Sequence, residues 1–259
     1  MIRHLSTAVR FVYATAAALS MPARVMAQTP AGRTVVFLRD RSSSFQAQRP
    51  KCTAAATRAI QALGPGDTFI LIDVGLVFDV DSQVYAEQFA PVPRDLSLQP
   101  STLRETRRAQ MRLDSIWARA EESRTRLLAR VTKHDSIDGH GTDLDAALDY
   151  ASHRLVDTDG PRDMIICSDL IQTKRGAQRS EPPHYVIPFH GLSATAIFVP
   201  WNGGAANDRR AAQWRQWFQA GGATQFVLLD PSQSVAFIPL TPTLVSRRVA
   251  SPFARRRLP

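Results

Sequence analysis

Short, unbroken apolar runs alternate with helical periods along most of this chain, and few folds accept that order. The runs at 34–38 (TVVFL), 68–74 (TFILIDV), 164–167 (MIIC), 194–199 and 225–229 have the strand-like composition. A run with no polar alternation suits a strand covered on both faces, as in a parallel sheet. Residues 83–89 alternate apolar and polar, the pattern of an exposed edge strand. Between the runs, residues 54–63 are Ala-rich and helical and stop at Gly64-Pro65-Gly66. Residues 101–131 make a long charged helix whose buried stripe is Leu113, Ile116, Trp117, Ala120, Leu127, Leu128 and Val131. Leu144, Ala147, Leu148, Ala151 and Leu155 mark a further amphipathic helix. Residues 208–220 mark another, with Ala211, Trp214, Trp217 and Phe218 inward and Gly221-Gly222 as its stop. The polar stretch 172–183 reads as a loop. The order predicts an α/β domain over 33–230: a doubly wound, mostly parallel six-stranded sheet, helices on both faces and one antiparallel edge strand. At 259 residues and 44% hydrophobic, the chain can fill one such core.

Both ends differ from this middle. Residues 1–27 read as a signal peptide: Arg3, His4 and Arg10 precede an uncharged apolar run at 11–21, and Val25-Met26-Ala27 offers small residues at the cleavage spacing. That run is shorter than the roughly 20 apolar residues of a bilayer span, although an uncleaved anchor is the competing reading. Cleavage would leave a short linker at 28–32 and no transmembrane span. The leader's style points to a bacterial envelope, periplasmic ahead of secreted. The formal net charge is +9, and the excess gathers at the C-terminus, where Arg247–Arg257 carries five arginines and no acid. Such a tail over 231–259 suits an acidic partner or an anionic surface, or is simply a solvated basic end. Export argues against nucleic acid as the partner. Two cysteines are too few for a disulfide framework, and Cys167, inside an apolar run, reads as a buried free thiol rather than as a partner of Cys52.

Three short segments carry the polar chemistry. Asp40-Arg41-Ser42-Ser43-Ser44 follows the first strand, Gly141-Thr142-Asp143 opens an amphipathic helix, and Ser168-Asp169 ends the strand at 164–167. In doubly wound sheets, binding crevices form at the carboxyl ends of strands where the winding reverses. Two carboxylates and three hydroxyls meeting there make an all-oxygen set, which hard cations such as Mg²⁺ prefer. Taken singly, each segment also has an ordinary explanation. Ser44 can cap the first helix, Thr142 with Asp145 resembles a capping box, and Asp169 can be a polar residue at a strand end.

Taken together, Asp40-x-Ser42-x-Ser44, Thr142 and Asp169 resemble the metal-ion-dependent adhesion site of von Willebrand factor type A domains, in residue type, in order and in element context. The resemblance implies that Ser42 and Ser44 bind a Mg²⁺ or Mn²⁺ ion directly. It implies that Thr142 and Asp169 bind it directly or through water, and that Asp40 acts mainly through water and by holding the loop. An open coordination position would then take an Asp or Glu carboxylate from a partner protein. His140, just before Thr142, and Trp201, after the fifth strand, are candidates for the rim of that site. Two departures stand out. Leu170 follows Asp169 where the family usually has Gly, and Arg41 puts a cation inside the metal loop.

The expected function is therefore an exported, metal-dependent protein-binding module and not an enzyme. A metal-free scaffold of an envelope complex is the alternative. A Mg²⁺-dependent phosphohydrolase ranks lower, because no phosphate-binding Gly-rich loop with its Lys, no nucleophile elbow and no Cys/His pairing are present.

Overall fold

The computed structural model describes residues 32–97, 102–133, 141–174, 177–197 and 205–229. Leader, tail, His140 and Trp201 lie outside these described residues. The first strand, β1 (Thr34–Asp40), is buried at every position. It leads through a short 3-10 helix (Ser43–Gln48) into α1 (Arg49–Gln61) and then β2 (Thr68–Val74). A single-turn helix, α2 (Val80–Gln83), returns the chain as β3 (Val84–Gln88), followed by the long α3 (Leu103–Thr132) and by α4 (Leu144–Val156). Next come β4 (Arg162–Cys167) and a hairpin of β5 (Gln172–Lys174) with β6 (Ala177–Arg179). The last elements are β7 (Leu192–Ile197), α5 (Ala205–Ala220) and β8 (Gln225–Leu229).

Six of the strands form one sheet in the order β3-β2-β1-β4-β7-β8. All neighbours are parallel except β2 and β3. This is the mixed sheet the sequence predicts, with its antiparallel strand at the edge. The pleat explains why β1 is apolar without interruption: successive side chains serve opposite cores. Val35 and Phe37 pack with Ala55, Ala59 and Ile60 of α1 and with Leu127 and Val131 of α3. Val36 and Leu38 pack with Leu144, Leu148 and Ala151 of α4 and with Trp214 and Phe218 of α5. No helix among the described residues is long and apolar enough to cross a membrane.

Helix α3 starts on a capping box. Thr102 accepts from the Glu105 amide at 3.2 Å, and the Glu105 carboxylate accepts from the Thr102 amide at 3.1 Å. Its buried residues are Ile116, Ala120, Ser123, Leu127 and Val131. Trp117, expected in that stripe, is 43% exposed. At about 100° per residue it lies on the flank of the row that Ile116 and Ala120 define.

Two further expectations are corrected. The stretch read as a loop at 172–183 contains the β5–β6 hairpin, whose Thr173 bridges to Thr142. Cys167 is not a free thiol: it is bonded to Cys52, with 5.9 Å between Cα atoms across 115 residues of sequence, and the described chain has no free cysteine. The reason is register. Ile165 and Cys167 face the core that α1 covers, and Cys52 is on the buried side of α1.

Closing a loop of that length removes unfolded-state entropy worth about 5 kcal/mol in the chain-entropy treatment. Replacing both cysteines by alanine is expected to lower the unfolding free energy by about 3–5 kcal/mol, read from urea denaturation. An unchanged midpoint would show that the crosslink contributes nothing to stability.

Candidate metal centre

The sheet winds in two directions. From β1 the chain moves to β2 and β3 on one side, and from β4 it moves to β7 and β8 on the other. The reversal falls between β1 and β4, the place where open α/β sheets bind ligands. Asp40 is the last residue of β1. Because Arg39 pairs with Cys167, Asp40 stands beside Ser168, the first residue beyond β4.

Asp40 is fully buried and gathers the surrounding segments. Its Oδ1 accepts the Ser42 amide at 2.8 Å and faces the Thr142 hydroxyl at 3.4 Å. Its Oδ2 accepts the Ser168 hydroxyl at 2.7 Å. The Ser42 side chain also hydrogen-bonds this carboxylate. Thr142 is free for that role because Asp143, not Thr142, is the N-cap of α4, its side chain accepting from the Ala146 amide at 3.5 Å. That corrects the capping-box reading of Thr142 and Asp145. Gly141 permits the placement: a Cβ there would meet Leu76 Cδ1 at 2.2 Å and the Thr173 carbonyl at 2.9 Å.

Beyond β4 the turn is built from side-chain bonds to backbone. Ser168 Oγ accepts the Leu170 amide at 3.1 Å, and Asp169 Oδ1 accepts the Ile171 amide at 2.9 Å. Leu170 adopts a left-handed conformation, φ 58°, a region that Gly enters without steric cost. A side chain there costs on the order of 1 kcal/mol. Full burial of Leu170 in the α4/α5 core offsets it.

The charges sort themselves around this crevice. Burial pushes the Asp40 carboxyl above its ordinary range, against the lowering effect of its hydroxyl and amide donors. Burial also pushes Asp169 up to about 6, with the Ile171 amide lowering it, Asp40 raising it further and Arg210 of α5 lowering it. The two acids thus sense one another in a poorly solvated place. Arg41 is turned toward Asp73 of β2, at 3.6 Å from its carboxylate. Arg39 binds the same Asp73 through two bonds, of 2.6 and 2.9 Å, and donates to the Val131 carbonyl at 2.7 Å. Arg49 donates to the carbonyls of Arg41 and Ser42 at 3.1 and 3.2 Å, latching the loop onto α1.

Of the residues singled out from the sequence, Ser42 and Thr142 both contact Asp40, and Asp169 lies within electrostatic reach of Asp40. Ser44 sits in the 3-10 helix, with its side chain outside the described part. His140 and Trp201 lie outside it altogether. Ser168 is a site residue that sequence reasoning noted only as the neighbour of Asp169. A hydroxyl on the last step of a buried strand, beside β1, was its available signal. Among the described residues no three His, Cys, Asp or Glu side chains gather as metal ligands. The donor set is instead hydroxyls with two carboxylates, which fits a hard cation and not a thiolate- or imidazole-bound one.

No protein-family model matches the chain, and no curated protein is significantly similar to it. Solved structures similar to it include the ArnB paralog VWA2 from Sulfolobus acidocaldarius, with TM-score 0.42 and 13% identity over 80% of this chain and 44% of that one. They also include the pilus adhesin SpaC from Lactobacillus rhamnosus GG in its open conformation, with TM-score 0.48 and 10% identity over 81% of this chain and 29% of that one. A third is proximal thread matrix protein 1 from the mussel byssus, with TM-score 0.39 and 10% identity over 81% of this chain and 46% of that one. This chain spans less than half the length of each.

Proposed function

We propose that this chain is a metal-dependent protein-binding module that holds Mg²⁺ or Mn²⁺ at the β1/β4 crevice and captures an Asp or Glu carboxylate of a partner protein. Ser42, Ser44, Thr142 and Asp169 would hold the ion, and Asp40 would act mainly through water and by holding the loop. The ion would supply a positive charge that neutral hydroxyl ligands leave largely uncompensated, and so an attachment point for an acidic side chain. The observation that carries the reading is the buried Asp40 carboxylate, which ties Ser42, Thr142 and Ser168 together beside a second carboxylate held near pKa 6. A cation relieves both raised carboxylates at once. Removal of Arg41 toward Asp73 takes away the repulsion that its place in the loop threatens.

A binding role suits this site better than a catalytic one. Asp40 is enclosed by its hydrogen bonds and has no exposed surface from which to attack a substrate. The buried Cys52–Cys167 disulfide favours an oxidising compartment. It supports, together with the leader-like residues 1–27, a place in the periplasm or outside the cell. The Arg-rich segment 247–257 would add a second contact to an acidic partner.

Titration calorimetry and thermal melts of the purified protein should show Mg²⁺ or Mn²⁺ binding and a higher Tm. Asp169→Asn should abolish both while leaving the circular dichroism spectrum unchanged. Absence of heat and of a thermal shift for the unaltered protein would leave the metal-free scaffold as the reading. Turnover of generic phosphoesters with Mg²⁺, lost in Asp40→Ala, would replace binding by hydrolysis.

The sign of the pH effect follows from Asp169. Its folded pKa is raised, so its contribution to stability is fully present below about 4 and is lost as pH rises through about 6. In EDTA, Asp169→Asn should therefore gain stability relative to the unaltered protein as pH goes from 5 to 7.5, by about 1.4 kcal/mol. Saturating Mg²⁺ should reverse the order at pH 7.5, because only the carboxylate binds the ion. Urea denaturation at the two pH values reads both. A difference independent of pH would show that Asp169 is not a strained carboxylate.

A further inference from the structure

The two halves of the crevice come from distant parts of the chain. Asp40 and Ser168, joined by a hydrogen bond, are 128 residues apart. The β1–β4 ladder that aligns them ends at Arg39 and Cys167. Past that rung, position depends on side-chain bonds, and the Thr142–Asp40 contact among them is long, at 3.4 Å. The segment bearing Ser42 and Ser44 is tied to Asp40 through Ser42 and to the end of β2 through the Arg41 amide. Neither Ser42, the N-cap of the 3-10 helix, nor Gln48, the N-cap of α1, makes a side-chain capping bond. Phe45 anchors it in the core, and Arg49 ties its carbonyls to the start of α1.

The disulfide sits where these segments need holding. Cys167 is the last residue of β4, next to Ser168 and two before Asp169, while Cys52 lies in the first turn of α1, three after Arg49. A covalent path thus runs from Ser168-Asp169 through Cys167 and Cys52 to α1, and on through Arg49 to the carbonyls of Arg41 and Ser42. Both cysteines are fully buried, so the bond is not readily exchanged with solutes.

We infer that the Cys52–Cys167 disulfide is the clasp that holds the Asp40–Ser44 loop and the Ser168-Asp169 turn at binding distance, so that full cation affinity requires the oxidised chain. The inference rests on the metal reading above. Reduction by a dithiol passes two electrons and two protons to the cystine. It gives two protein thiols and a cyclic disulfide of the reductant, and it leaves the ladder between β1 and β4 in place while freeing the turn from α1.

The test compares the oxidised full chain with the Cys52→Ala/Cys167→Ala variant. Mg²⁺ and Mn²⁺ affinities are measured by calorimetry, and amide exchange is followed by mass spectrometry or NMR in EDTA. The expected result is cation affinity at least tenfold weaker without the crosslink. The Ser42, Leu170 and Ile171 amides should also exchange at least tenfold faster, through local openings that urea hardly accelerates, while those of β2 change only as the global unfolding free energy does. Equal affinity in the two proteins overturns the clasp and leaves the metal reading standing. If the oxidised protein binds neither ion, the metal reading fails, and the exchange arm decides the clasp alone: unchanged exchange at those three amides ends it. Exchange at those three amides that speeds up only through global unfolding, with the urea dependence of the β2 amides, also ends it, since the bond would then act only on global stability. Should the double variant not fold, the reduced unaltered chain, whose thiols keep the core filled, takes its place in the same measurements.

Discussion

A carboxylate kept out of water at the end of the central strand organises this protein's working edge. Burying Asp40 is unfavourable unless its oxygens are satisfied, and each donor that satisfies it comes from a different part of the chain. Ser42 comes from the loop just after β1, Thr142 from the start of α4, and Ser168 from the end of β4. The requirement to pair one buried charge therefore draws three segments into one crevice. The turn geometry there, including left-handed Leu170 and its bond to Ser168, follows from the same need.

The surrounding charges are arranged to leave that crevice negative. Three arginines, Arg39, Arg41 and Arg49, occur within eleven residues of the metal-like loop, which from composition alone would suit an anion rather than a cation. Asp73, on the neighbouring strand, takes the first two, and the backbone carbonyls of the loop take the third. What remains at the crevice is a pair of carboxylates, both raised by burial and Asp169 further by Asp40, with Arg210 lowering Asp169. Holding two such carboxylates out of water costs stability.

The α/β architecture was legible because its signal is local and repeated. TVVFL, TFILIDV and MIIC are apolar without alternation, and each is a sheet strand buried on both faces. Exact helix and strand ends were less so. Trp117 looked like part of the α3 stripe, since an apolar residue next to Ile116 is indistinguishable from one in line with it until the partner surface is known. The β5–β6 hairpin hid in a polar stretch, because three-residue strands carry no periodicity to read. Asp143 rather than Thr142 caps α4 because the Thr142 backbone is held by Thr173, a contact set by the hairpin.

Pattern and chemistry, the six strands with their helices and the oxygen-bearing residues at strand ends, are properties of the sequence by itself. They depend on side-chain type at short spacing, and the hydrophobic effect reads them segment by segment. Strand order and register belong to the tertiary structure alone. They set β4 beside β1 and so Ser168 against Asp40, turned Arg41 onto Asp73, and faced Cys167 toward Cys52. These contacts join residues as far as 128 apart. Which distant groups meet is decided by the packing of whole elements, and no local window of the chain contains that information.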